Sequence, residues 1–156
     1  MEFNIIAAAI AGLAGTAVMT GLMLGGKQLH LPVIDAHGIL GYVQNANTAS
    51  GLGYIMHFAL GAVFAIAYAL AFTLFPINIL LMGIGLGVVH WLIVGWMFAL
   101  APKVHAGMQA GTVQTTGSYM LQSLGIVGFI AGLVGHIVFG ITVGLIYGLI
   151  IGRFGG

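Results

Sequence analysis

The sequence predicts an all-α polytopic membrane protein, with four transmembrane helices arranged as two parallel helical hairpin repeats. Three observations lead there. The chain is 61% hydrophobic and only 3% charged, with a mean hydropathy of +1.19, whereas about a quarter of the residues in soluble domains are charged. Four apolar stretches each reach the roughly 20 residues a helix needs to cross a hydrocarbon core about 30 Å thick. Two of those stretches share the pattern G-x3-H-x3-G-x6-Y-x-L: Gly53, His57, Gly61, Tyr68 and Leu70 match Gly132, His136, Gly140, Tyr147 and Leu149. The apolar runs are unbroken, which argues against the alternating strands of a β-barrel.

The elements follow in order. The first span is expected over 5–24. Met1-Glu2-Phe3-Asn4 has no lysine or arginine, so it lacks the positive n-region of a secretory signal, and the span is read as a retained helix. The second and third spans, 47–75 and 77–100, are separated only by the turn around Pro76 and Asn78, which predicts an antiparallel pair in direct contact. The fourth runs over 124–151. The connections from 27 to about 46 and from 101 to about 123 are longer, lie on the opposite membrane face, and hold most of the polar side chains.

Lys27-x-x-His30 before Pro32 is loosely echoed by Pro102-Lys103-x-His105, which extends the repeat to whole hairpins, about 5–75 and 77–151 of a single domain over 1–156. Each unit has an even number of spans, so the two copies are parallel, related by an axis along the membrane normal. His57 and His136 then stand at similar depth across that axis. Lys27 and Lys103 on one face balance Arg153 and the amino terminus on the other, so the positive-inside rule assigns no orientation.

Small residues recur every fourth position. The rows are Gly53, His57, Gly61, Ala65, Ala69 and Gly128, Gly132, His136, Gly140, Gly144, Gly148, Gly152, with Ala8-Gly12-Thr16-Thr20 and Gly83-Gly87-Trp91-Gly95-Ala99 on the first and third spans. Such rows let helix backbones approach closely in lipid, where packing rather than hydrophobicity drives association. Glycine at 27 of 156 residues fits that purpose.

The histidines within the spans ask for more than packing. An ionisable side chain in a bilayer costs a few kcal/mol to insert and by default marks function. At about 1.5 Å per residue, His57, His90 and His136 all fall near mid-membrane. The stripes His57-Gly61-Phe64-Tyr68 and His136-Gly140-Val143-Tyr147 place a glycine gap beside each imidazole. Haem b is held by imidazoles on facing helices and needs such a gap for its ring. His57 and His136 are therefore candidate axial ligands, with His90 as the runner-up and Gly61 and Gly140 flanking the ring. The alternative is that the glycines draw the helices too close for a macrocycle.

A second candidate cluster, His30, Asp35, His37 and His105, lies on the loop face and offers imidazole and carboxylate ligands for copper or zinc. Asp35 alternatively caps a short segment over 37–43. Cysteine is absent, which removes disulfides, thiolate sites, iron–sulfur clusters and covalent c-type haem. The formal charge of +1 supplies no basic stripe for nucleic acid and no polybasic run for anionic lipid. Ser50, Ser118 and Ser123 with these histidines assemble no specific nucleophile site, and no phosphate loop is present.

The strings 11–20, Leu31-Pro32-x-x-Asp35, Gly53-x3-His57-x3-Gly61-x6-Tyr68, Ala101-Pro102, Ala106-Gly107-Met108 and Gly135-His136-x2-Phe139-Gly140-x3-Gly144-x2-Tyr147 resemble a widespread bacterial family of small four-helix integral membrane proteins of unknown function. The resemblance spans nearly the whole chain. It implies the fold and topology, and with them a bacterial inner membrane, but no activity. His90 and His105 have no place in that family's pattern.

The function expected is that of a non-catalytic integral membrane subunit of a membrane complex, in its sharpest form a bis-His haem-b electron carrier. Its partners are the lipid bilayer and other membrane subunits, or further copies of itself. The rival readings are an oligomeric transport protein with a His-lined path for protons or a metal ion, and a structural scaffold.

Overall fold

The computed structural model describes residues 3–31, 33, 36–41, 46–112 and 114–152, with backbone alone at 36–38 and 46–50. The described residues form α1 (Ile5–Gln28), α2 (Ala36–Gly41), α3 (Ala46–Leu74), α4 (Ile79–Met97), α5 (Ala101–Val104), α6 (Ala106–Gln109) and α7 (Leu121–Ile150). Single 3-10 turns lie at Phe98–Leu100 and Ser118–Met120, and no strand occurs among these residues. Four helical segments are long and apolar enough to cross a membrane: Ile5–Gln28, Gly51–Leu74, Ile79–Val104 and Ser118–Ile150.

Local chemistry sets the helix ends. The Asn4 side chain accepts from the Ala7 N–H at 2.9 Å and so caps α1. The Asn4 N–H in turn donates to the Tyr147 hydroxyl at 3.2 Å, which ties the start of α1 to the end of α7. Asn78 accepts from Leu80 and Leu81 at 3.0 and 3.2 Å, so the residue that closes the Pro76 turn also opens α4. The first helix continues past residue 24 to Gln28, with Lys27 in its last turn, where a cation suits the helix dipole. The fourth span starts earlier than its apolar run suggests. It enters through Tyr119 and Met120 at positive φ and bends at Gly125 (φ 60, ψ −153), a backbone conformation essentially confined to glycine.

The helices pack in the order α3, α1, α7, α4. α1 lies against both α3 and α7, and α4 lies against α7. The sequence predicts close contact between the helices joined at Pro76, but α3 and α4 make little contact. What passes between them is side chains, chiefly Phe64 against His90, whose ring centroids are 3.9 Å apart. The reason is steric. Glycines face the α1–α3 and α4–α7 crossings, so backbones meet there, while bulky rings face the α3–α4 gap. A Cβ on Gly12 would lie 2.5 Å from the Gly61 carbonyl oxygen, and one on Gly87 would lie 2.5 Å from the His136 carbonyl oxygen.

The half of the bundle nearer the Pro76 turn is solid. Ala8, Ala11, Ala65, Tyr68, Phe72, Ile79, Phe139, Val143 and Tyr147 belong to one buried cluster there. The outward surface is apolar, with Ile6, Ile55, Val63, Leu81 and Ile130 exposed, as helices in contact with lipid require. The half nearer the long connections is hollow.

Candidate ligand-binding cavity

That hollow is a cavity of about 490 Å³, walled by α1, α3, α4 and α7 and lined at the loop end by α2, α5 and His105. Most of its lining is aliphatic or aromatic. His57 from α3, His90 from α4 and His136 from α7 all line it, together with Thr16, Gly61, Phe64 and Phe139. Three histidines that are far apart in sequence thus meet at one space.

Each imidazole is oriented by a different partner. The His136 Nδ1–H donates to the Gly132 carbonyl one turn earlier at 2.7 Å, so in the neutral ring Nε2 carries the lone pair. His90 is the reverse. Tyr68 is 4% exposed, its hydroxyl lies 3.2 Å from His90 Nδ1, and we assign this buried phenol as the donor. Neutral His90 then keeps its proton on Nε2. His57 is half-buried, and its Nδ1 lies 3.5 Å from the Thr20 hydroxyl, at the limit of hydrogen-bonding reach.

His90 and His136 are neighbours, with centroids 4.7 Å apart and planes at 87°. Aromatic rings surround the pair. Phe64 stacks on His90, Phe139 lies 5.7 Å from it edge to face, and the Trp91 indole covers His136 at 5.1 Å. Trp91 is fully buried in the notch that Gly132 leaves in α7, and its N–H has no acceptor among the described residues. Spacing along single helices indicated none of these neighbours except Phe64, which shares the His57 stripe.

The two glycines expected beside the haem ring differ in position. Gly61 lines the cavity, although a Cβ there would strike the Thr16 hydroxyl of α1. Gly140 lies at the α4–α7 crossing, where the space it leaves is filled by the Gly83 backbone. Tyr68 and Tyr147, equivalent in the motif, serve different ends: one holds His90, the other the start of α1.

In the loop-side set, Asp35 and the His37 side chain lie outside the described residues. A short helix does run over Ala36–Gly41, directly after Asp35. His30 is exposed at positive φ. His105 is buried, lines the cavity, and accepts from the Met108 N–H at 3.2 Å through Nδ1, capping α6. Among the described residues, no three metal-ligating side chains form a cluster.

Comparison with known proteins finds no matching family model, no matching curated protein and no matching solved structure.

Proposed function

We propose that this chain is a non-catalytic integral membrane subunit whose interhelical cavity carries a bound small molecule or cofactor for a larger membrane complex. One observation carries the reading: His57, His90 and His136, from three separate helices, line one cavity of about 490 Å³. Burying one histidine in a bilayer is already costly. An apolar cavity with a few converging polar groups is the usual form of a small-molecule site.

Haem b is the cofactor that the donors suit if His57 and His136 serve as the axial ligands. The Gly132 carbonyl fixes the His136 ring through Nδ1 and leaves Nε2 for a metal, which is how iron- and zinc-bound imidazoles are held. His90 stands too close to His136 for a macrocycle between those two rings. A bound haem would supply one-electron transfer, and the protein's part would be to orient the imidazoles and exclude water. The transport reading has less support. A conducting path would have to cross the half of the bundle that Tyr68, Phe72 and Tyr147 fill.

The test is to purify the protein in native lipid, record oxidised and reduced absorbance spectra with metal analysis, and identify the organic molecules released on denaturation. A stoichiometric haem or organic ligand, lost when the cavity is blocked by Phe64→Trp, is the expected result. A preparation free of any such molecule, and unable to bind one, overturns the reading.

A further inference from the structure

The geometry points to a ligand class for this cavity: a lipid-soluble molecule bearing a ring hydroxyl, of the hydroquinone type, which enters sideways between α3 and α4 and sets that hydroxyl between His90 and His136. This rests on the cavity being a ligand site, as proposed above, and names what it takes.

The argument starts from the two hydrogen bonds behind the imidazoles. Tyr68 donates to His90 Nδ1 and leaves an N–H at Nε2, whereas His136 donates from Nδ1 to Gly132 and leaves a lone pair at Nε2. The pair therefore offers one donor and one acceptor. The two rings meet edge to face at 4.7 Å and make no hydrogen bond to each other, so each can engage a third group. A hydroxyl is the small neutral group that accepts and donates at a single atom. A carbonyl oxygen would satisfy His90 and leave His136 unpaired, while an ether could do no more than accept.

The surroundings select the rest of the molecule. Phe64 and Phe139 flank His90 and present aromatic faces and edges suited to a flat ring. The flank of the cavity carries Leu60, Met97 and Val104, which are exposed and apolar, and all three belong to segments able to cross the membrane. A polar ligand arriving from water would meet an apolar mouth there. A lipid-borne one would meet the α3–α4 seam, where the backbones stand apart and side chains alone bridge the helices. The volume lies within the roughly 300–1,000 Å³ typical of organic ligands. It can hold a substituted ring and the first part of an apolar tail, with the remainder leaving through the seam.

The experiment uses the full chain in lipid nanodiscs under anaerobic conditions. With Trp96→Phe as background, Trp91, 5.1 Å from His136, becomes the sole indole reporter. Titration with a short-chain hydroquinone should quench it saturably, and the matching dimethyl ether should bind about tenfold more weakly or worse, because it leaves His136 unpaired. Tyr68→Phe removes only the hydroxyl that sets the His90 tautomer. His90 is then free to present a lone pair at Nε2, to which a hydroquinone can still donate but an ether cannot bond, so the preference for the hydroquinone should widen, whereas a purely structural defect would weaken both alike. Equal affinity for hydroquinone and ether overturns the ligand class and leaves the cavity reading standing. Absence of saturable binding by either, with a stoichiometric haem in the native preparation, also overturns the ligand class while the cavity reading survives. Absence of binding with no native ligand of any kind overturns both.

Discussion

Gly83 and Gly140 touch backbone to backbone where α4 crosses α7, so that a Cβ on either would strike the carbonyl oxygen of the other. Gly12 and Gly61 form the corresponding close approach where α1 crosses α3. In each crossing one glycine follows a histidine by four residues, Gly61 after His57 and Gly140 after His136. The crossing point therefore fixes where each imidazole stands. That correspondence gives the small-residue rows a second purpose: they hold the walls of the cavity in place.

Gly140→Ala should destabilise the protein although it adds only a methyl group. The added Cβ meets main-chain atoms of Gly83, which cannot rotate away. Overpacking of this kind costs about 1–3 kcal/mol. Gly85→Ala is the control, because a Cβ there meets nothing within 4 Å and gains helix propensity. Thermal unfolding in one detergent, followed by loss of the monodisperse chromatographic peak, compares the two. Equal midpoints would mean that α4 and α7 do not pack through this pair.

Gly132 and Trp91 should be energetically coupled. A Cβ at position 132 would lie 2.6 Å from an indole carbon, so Gly132→Ala must displace Trp91 from its place over His136. Replacing the indole with a smaller ring should relieve the clash. In a double-mutant cycle with Trp91→Phe the interaction energy is expected to be about 1 kcal/mol or more. An additive cycle would show that the indole does not occupy the notch.

The four spans were legible in the sequence because bilayer thickness sets helix length, and apolar runs of that length have few other uses. The inward direction of the small-residue rows was legible too, since Ala8, Gly12, Thr16 and Thr20 all lie on the buried side of α1. What spacing could not supply was the rotation of one helix against another. Tyr68 shares a stripe with His57, yet its hydroxyl reaches His90 on α4. His105 reads as a loop-face ligand but turns inward to cap α6 and line the cavity. The looseness of the α3–α4 pair was hidden for the same reason. A short turn fixes the distance between two helix ends and says nothing of how far the helices splay beyond it.

Topology gives a direct check, because the chain has no cysteine and single-cysteine variants are clean. Ile77 in the short turn and Ala110 after α6 are both exposed, and the arrangement of four spans puts them on opposite membrane faces. Ile77→Cys and Ala110→Cys should therefore react with a membrane-impermeant maleimide from opposite sides of sealed vesicles. Labelling of both from one side is incompatible with the number of crossings.

The histidine variants separate the occupants of the cavity. If haem b is bound through His57 and His136, the reduced protein should show the sharp visible bands of a six-coordinate haem, and His57→Ala or His136→Ala should abolish them. His90→Ala should leave them nearly intact, because His90 lies against His136 rather than across a ring-sized gap from it. Thr20→Val removes the hydroxyl 3.5 Å from His57 Nδ1 and should shift the reduction potential rather than abolish the bands, since such a partner tunes a ligand without replacing it. Loss of bound copper or zinc on mutation of His30, His37 or His105, in a protein with no haem bands, would move the site to the loop face. If the bands survive His57→Ala but vanish in His90→Ala, the ligand pair is His90 with another donor. The ring contact between His90 and His136 would then have to open before haem could bind.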